Sequence, residues 1–108
     1  MTIKIFNDIF EVADNMFSRA RGLMFRKKII HIFFIFENEG KTPIHSFFVF
    51  KEFEAVYLNS KSKVVDIFSV KPFTFWVENT APAKYLIEAP IGWCKKNKIK
   101  KGSFIKVN

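Results

Sequence analysis

One cysteine, two histidines, four glycines, four prolines and no glutamine are found among 108 residues, and each scarcity removes an option. A lone Cys94 excludes an internal disulfide, and with only His31 and His45 beside it no zinc-type ligand spacing exists. No apolar run approaches the roughly 20 residues that a membrane-crossing helix needs. The opening Met1 to Asp8 lacks the charged, apolar and small-residue parts of a signal peptide. A soluble cytoplasmic protein with no membrane partner is the expectation. There is no linker, internal repeat or low-complexity tract, so residues 1–108 are expected to form one domain.

What is abundant is phenylalanine and lysine. Fifteen Phe in a chain that is 49% hydrophobic supply ample core. The preference for lysine over arginine, with the absence of glutamine, fits a thermophile and an AT-rich genome equally well. The net charge of +8 is concentrated in two places. Between Asp14 and Glu37 there are five cations and no acid, and after Glu88 there are six lysines and no acid.

Thr2 to Asn7 and Ile9 to Ala13 alternate apolar and polar residues and read as a hairpin. A short helix is expected from an Asp14 N-cap to Gly22, with Met16, Phe17 and Ala20 on its buried side and Gly22 in the left-handed position that ends it. Ile29 to Phe36 is nearly all apolar, as in a strand buried on both faces, and Glu37 to Pro43 reads as a polar turn. Further strands are expected at Ile44 to Phe50, Phe53 to Asn59, Val64 to Val70, Ala83 to Glu88 and Phe104 to Val107, with a turn of helix within Ile91 to Lys98. Pro72 to Pro82 is expected to be irregular. Strands this short and closely spaced predict a mostly β fold, a sandwich or barrel-like domain with one or two short helices.

Arg21-Gly22-Leu23-Met24-Phe25-Arg26 followed by His31-Ile32-Phe33-Phe34-Ile35-Phe36 resembles the opening of the domain-of-unknown-function family 192. His45-Ser46-Phe47-Phe48-Val49-Phe50 is similar to its central aromatic strand in short archaeal-type members, and Phe53 to Leu58 to the strand that follows. Lys84 to Gly92 resembles its closing motif and Gly102 a glycine near its end. Phe48-Val49 replaces the usual Trp-Met, Glu54 the usual Asp, and Ser103 the Asp after the late glycine. The resemblance implies a β-sandwich type of fold and transfers no catalytic role.

Four residues are the candidates for a ligand site: Arg21, Arg26, His45 and Glu54. His45 opens an aromatic strand, and imidazole is versatile as donor, acceptor and ligand. Glu54 and Glu88 sit in apolar strands, where a carboxylate needs a partner, and a bidentate arginine is the natural one. Arg21 or Arg26 is therefore expected to bond one of the two acids. A structural ion pair is the plainer reading of such a contact. The same two acids would serve a hydrolase only if they shared one cleft. Lys95, Lys96, Lys98, Lys100 and Lys101 form a candidate anion-binding run, which is also what a solvated basic turn looks like. No nucleic-acid recognition motif accompanies it, so nucleic-acid binding is expected to be weak at best. Cys94 beside Trp93 reads as a buried structural thiol. Phe73, Phe75 and Trp76 read as a cover over an open end of the fold, with stacking on a ligand as the alternative. No catalytic constellation and no cofactor motif are present, and the expected function is the binding of a small molecule or a protein partner.

Overall fold

The computed structural model describes residues 1–107, and they form six strands and two short helices. The strands are β1 (Thr2–Ile5), β2 (Asp8–Ala13), β3 (Ile32–Gly40), β4 (Phe53–Leu58), β5 (Val64–Val70) and β6 (Ala83–Pro90). They make one mixed sheet in the order β1-β2-β3-β6-β4-β5. Every pairing is antiparallel except β2 with β3, where the connection carries helix α1 (Met16–Arg21). The sheet does not close into a barrel. The mostly β fold with two short helices is as the sequence indicates.

Both faces of the sheet are covered, because the pleat sends successive side chains to opposite sides. On one side Ile5, Phe10, Phe33, Val56, Ile87 and Ala89 pack with Trp93, Cys94, Ile99 and Ile105 from the C-terminal segment, which includes helix α2 (Trp93–Lys96). On the other, Ile32, Phe34, Phe53, Ala55, Tyr57 and Leu86 pack with Leu23 and Val49 from the long connections. The two basic regions of the chain therefore belong to segments on opposite faces. β6 lies between β3 and β4, so Leu86 through Ala89 are buried whichever way they point.

Five local expectations are corrected. Helix α1 is capped by Asn15, not Asp14: the Asn15 side chain accepts the Ser18 N–H at 2.8 Å while the Ser18 hydroxyl answers the Asn15 N–H at 3.3 Å. The helix buries none of its residues, and Met16, Phe17 and Ala20 are exposed, because six residues at the rim of the sheet make too short an element to reach the core. Glu37 to Gly40 is not a turn but the outer part of β3, reached through a register irregularity after Ile35, with the Lys84 ammonium donating to the carbonyls of Phe36 and Glu37.

Ile44 to Phe50 is not a strand, and Phe104 to Val107 contributes only a single bridge from Phe104 to Lys63. The aromatic segment pairs only at Ile44 with Val77 and is then tied to the Lys71 to Thr74 loop by a buried serine. Ser46 Oγ donates to the Lys71 carbonyl and accepts the Thr74 N–H, both at 2.6 Å, while its backbone bonds Thr74 and Phe73 at 2.9 Å. A run of aromatics carries no alternation to hold it in a sheet, and the serine supplies the loop with the partners a strand would have provided.

Candidate functional site

Glu88 has no apolar-to-polar boundary to sit on. Its cross-strand neighbours are Ile32 on β3 and Ala55 on β4, so the sheet offers the carboxyl no partner. The residue is 4% exposed, and no donor among the described residues bonds its side chain. Burial alone pushes the Glu88 carboxyl up from 4.5 to about 8, so it is held protonated at neutral pH. The carboxyl forms part of the wall of a cavity of about 320 Å³. The rest of the wall is mixed, with Leu23, Met24, Phe34, Phe36, Phe47 and Val49 on its apolar side and Arg19, Arg21 and His45 among its polar groups.

Gly22 sets the approach of the connection to this acid. Its backbone has φ +46° and ψ −124°, and a Cβ placed there would lie 3.3 Å from the Phe34 ring and 3.6 Å from Glu88 Oε1. Only glycine combines that conformation with that closeness. Arg26 holds the same turn from outside: its Nε donates to the Gly22 carbonyl at 2.9 Å and its Nη2 to Glu11 Oε1 at 3.0 Å. Arg26 thus braces the cavity wall and does not line the cavity.

Arg21 and His45 do line it, and both are exposed, which puts them at the mouth. His45 Nδ1 accepts the Phe47 N–H at 3.2 Å, so the neutral ring carries its proton on Nε2 and can donate. Arg19, also in the wall, is already engaged with the Ile35 carbonyl at 3.1 Å and with Glu37 at 3.6 Å. Arg21 has no ion-pair partner among the described residues.

Of the four sequence candidates the structure brings together Arg21 and His45. Glu54 faces the other side of the sheet, since its strand neighbour Ala55 is the residue that pairs with Glu88. There it caps α2, accepting the N–H groups of Gly92 at 3.1 Å and Cys94 at 2.9 Å. The expected arginine bond to Glu54 or Glu88 is absent among the described residues, because β6 buries Glu88 deeper than either guanidinium reaches and Arg26 finds Glu11 first. The two glutamates share no cleft, and the two-carboxylate hydrolase arrangement falls with that.

Arg26→Ala therefore removes a partly exposed pair and a turn brace, not a buried salt bridge. It should lower stability by about 1 kcal/mol in denaturant unfolding. A loss of several kcal/mol would mean that Arg26 serves a buried acid after all.

In the C-terminal lysine run, Lys95, Lys96, Lys98, Lys100 and Lys101 are all exposed. Among the described residues Lys101 is the one member with an acid, Asp66 Oδ1 at 3.8 Å, which sequence distance concealed. Cys94 is buried, and burial, then the nearby Glu54 carboxylate, push its thiol up to about 12. The flanking lysines do not activate it. In the folded protein at neutral pH it should react with a maleimide or disulfide reagent far more slowly than after unfolding, and equal rates would refute the buried, protonated thiol. No group of three His, Cys, Asp or Glu residues that could hold a metal occurs among the described residues.

Sequence reasoning marked Glu88 as an acid in want of a partner but did not place it in the site. The signal was there, a carboxylate in the middle of an eight-residue apolar strand. What was missing was the turn at Gly22 that opens a cavity over it.

Known proteins extend the picture. The UPF0127 protein of Pyrococcus abyssi is 38% identical over 94 residues, covering 85% of this chain and 80% of its own length. The UPF0127 protein of Pyrococcus horikoshii is 35% identical over 97 residues, covering 88% and 84%. Among solved structures, a Sinorhizobium meliloti 1021 protein described as a candidate transcription regulator superposes with a TM-score of 0.87 at 16% identity, over 98% of this chain and 90% of that one. At that identity the likeness concerns the fold alone. The family of uncharacterized ACR proteins called DUF192 matches residues 6–107, and to that family this chain belongs.

Proposed function

We propose that this protein is a small-molecule binding module whose site is the cavity over Glu88, with Arg21 and His45 at its mouth. Arg26 acts from behind the wall, and Glu54 belongs to the opposite face. The observation that carries the reading is the Glu88 carboxyl, which has no bond from the protein and whose oxygens open into the cavity, where a ligand's donor would meet them. A ligand that fits has an apolar body of a few carbon atoms to a ring in size, and a hydrogen-bond donor, a hydroxyl or an amine, to meet Glu88. Rim groups Arg21 and His45 would take an acceptor at its other end.

Benzyl alcohol and benzylamine serve as probes, with toluene as the control that lacks a donor. Thermal unfolding should show both donors raising the melting temperature above what toluene does, and the advantage should vanish in Glu88→Gln for the amine. The amine should gain as pH rises toward 8, because Glu88 then gives up its proton to pair with the cation. Equal shifts with all three probes, or none with any, would overturn the reading. The exposed lysine run from Lys95 to Lys101 has nothing beyond its charge to support nucleic-acid binding, and it stands on the face opposite the cavity.

A further inference from the structure

Of the four phenylalanines with positive φ angles, Phe6 lies in the turn between β1 and β2, and the other three, Phe25, Phe48 and Phe73 at 64°, 57° and 57°, lie in the long connections. Bulky residues rarely do so, and backbone held in that region by its surroundings clusters at functional surfaces. All three sit at loop tips, with exposures of 63%, 46% and 49%. They also meet one another. The rings of Phe25 and Phe48 stack at 4.8 Å, Phe48 and Phe73 meet edge to face at 6.0 Å, and Phe50 joins Phe73 at 6.0 Å. A backbone bond from the Phe25 N–H to the Phe48 carbonyl at 2.9 Å locks the first two loops together. Phe47, Phe75 and Trp76 continue the aromatic surface, Phe47 and Phe75 at 4.9 Å.

The expectation that Phe73, Phe75 and Trp76 cover an open end of the fold is therefore replaced: all three are exposed. Segments 23–28, 45–52 and 71–76 together carry Arg26, Lys27, Lys28, Lys51 and Lys71 against the single acid Glu52. Arg26 is spoken for by Glu11, and the four lysines are exposed.

We propose that this three-loop aromatic surface docks on a lipid bilayer bearing anionic headgroups. Rings at loop tips reach the acyl boundary while lysines at the loop bases remain among the headgroups, which is the division that interfacial binding requires. A second copy of the chain fits poorly, because a two-fold contact would set Lys27, Lys28, Lys51 and Lys71 against their own kind on a protein of net charge +8. The expectation of no membrane partner rested on the lack of a spanning segment, and no helix among the described residues is long and apolar enough to cross. Surface docking needs no such helix.

The two tryptophans make the test direct, because Trp76 is 65% exposed beside the patch and Trp93 is 4% exposed in the core. Phosphatidylcholine vesicles with phosphatidylglycerol should shift the fluorescence to the blue and sediment the protein, less so as salt rises. Pure phosphatidylcholine vesicles should do so weakly. The triple variant Phe25→Asn, Phe48→Asn, Phe73→Asn should bind roughly tenfold or more weakly, and it should melt no lower than the native protein, because asparagine accepts the left-handed backbone. Lys27→Glu with Lys28→Glu should weaken binding to the anionic vesicles as well. Unchanged emission with phosphatidylglycerol, full binding by the triple variant, or equal binding to both vesicle types would overturn the proposal. So would lipid-free dimerisation that the triple variant abolishes, which would assign the patch to a second copy.

Discussion

Glu88→Gln is expected to stabilise the protein by on the order of 3 kcal/mol at pH 7, and by more at pH 8. The folded carboxyl titrates near 8 against an ordinary value of 4.5, and burial is the cause. Between those two values the unfolded chain has released a proton that the folded chain still holds. Folding then takes up a proton, so stability is fully present below about pH 4.5, falls as pH rises, and reaches its floor above about pH 8. Glutamine keeps the shape and the hydrogen-bonding capacity and has no charge to bury. Melting curves of the two proteins should therefore nearly coincide at acid pH and separate by more than about 10 °C at pH 8. A variant less stable than the native protein at pH 8 would show that Glu88 is ionised and bonded in the fold, and the site as described would be wrong.

Gly22→Val should be the most damaging single change on the cavity wall. The backbone at this residue lies where no side chain is comfortable, and the new Cβ would stand 3.3 Å from the Phe34 ring, closer than side chains ordinarily pack. A loss of about 3 kcal/mol is expected from strain and overpacking combined, measured as a lower denaturant midpoint at unchanged slope. Gly22→Ala should lose less, since it brings the strain without the extra methyl groups. If valine lost under about 1 kcal/mol, the turn would be soft enough to move, and Gly22 would not be what shapes the cavity.

These two residues show how much the amino-acid order reveals. Gly22 was legible as a helix end, because a glycine after Arg19-Ala20-Arg21 is a stop signal in its own right. Asn15 was missed in favour of Asp14 because both are good caps, and only the Ser18 partner three residues on decides between them. Glu88 was legible as an anomaly, a carboxylate in an apolar strand. The expected remedy, an arginine, was wrong because the local pattern cannot say which face of β6 the acid takes or what crosses above it. Arg26 found Glu11, a residue of β2 far back in the chain.

The sequence by itself determined the β class, five of the six strands to within a few residues, the two short helices, the family resemblance and the buried thiol. Those follow from periodicity, turn chemistry and composition, which act over neighbouring residues. Tertiary structure alone decided that Ile44 to Phe50 is a loop, that Glu54 and Glu88 part to opposite faces, and that Arg21 and His45 meet at one cavity while Arg26 stands behind it. It also decided that a chain of phenylalanines stays outside. Each of these depends on the order of strands in the sheet and on contacts between segments distant in sequence, where a one-residue change of register reverses which side a group faces.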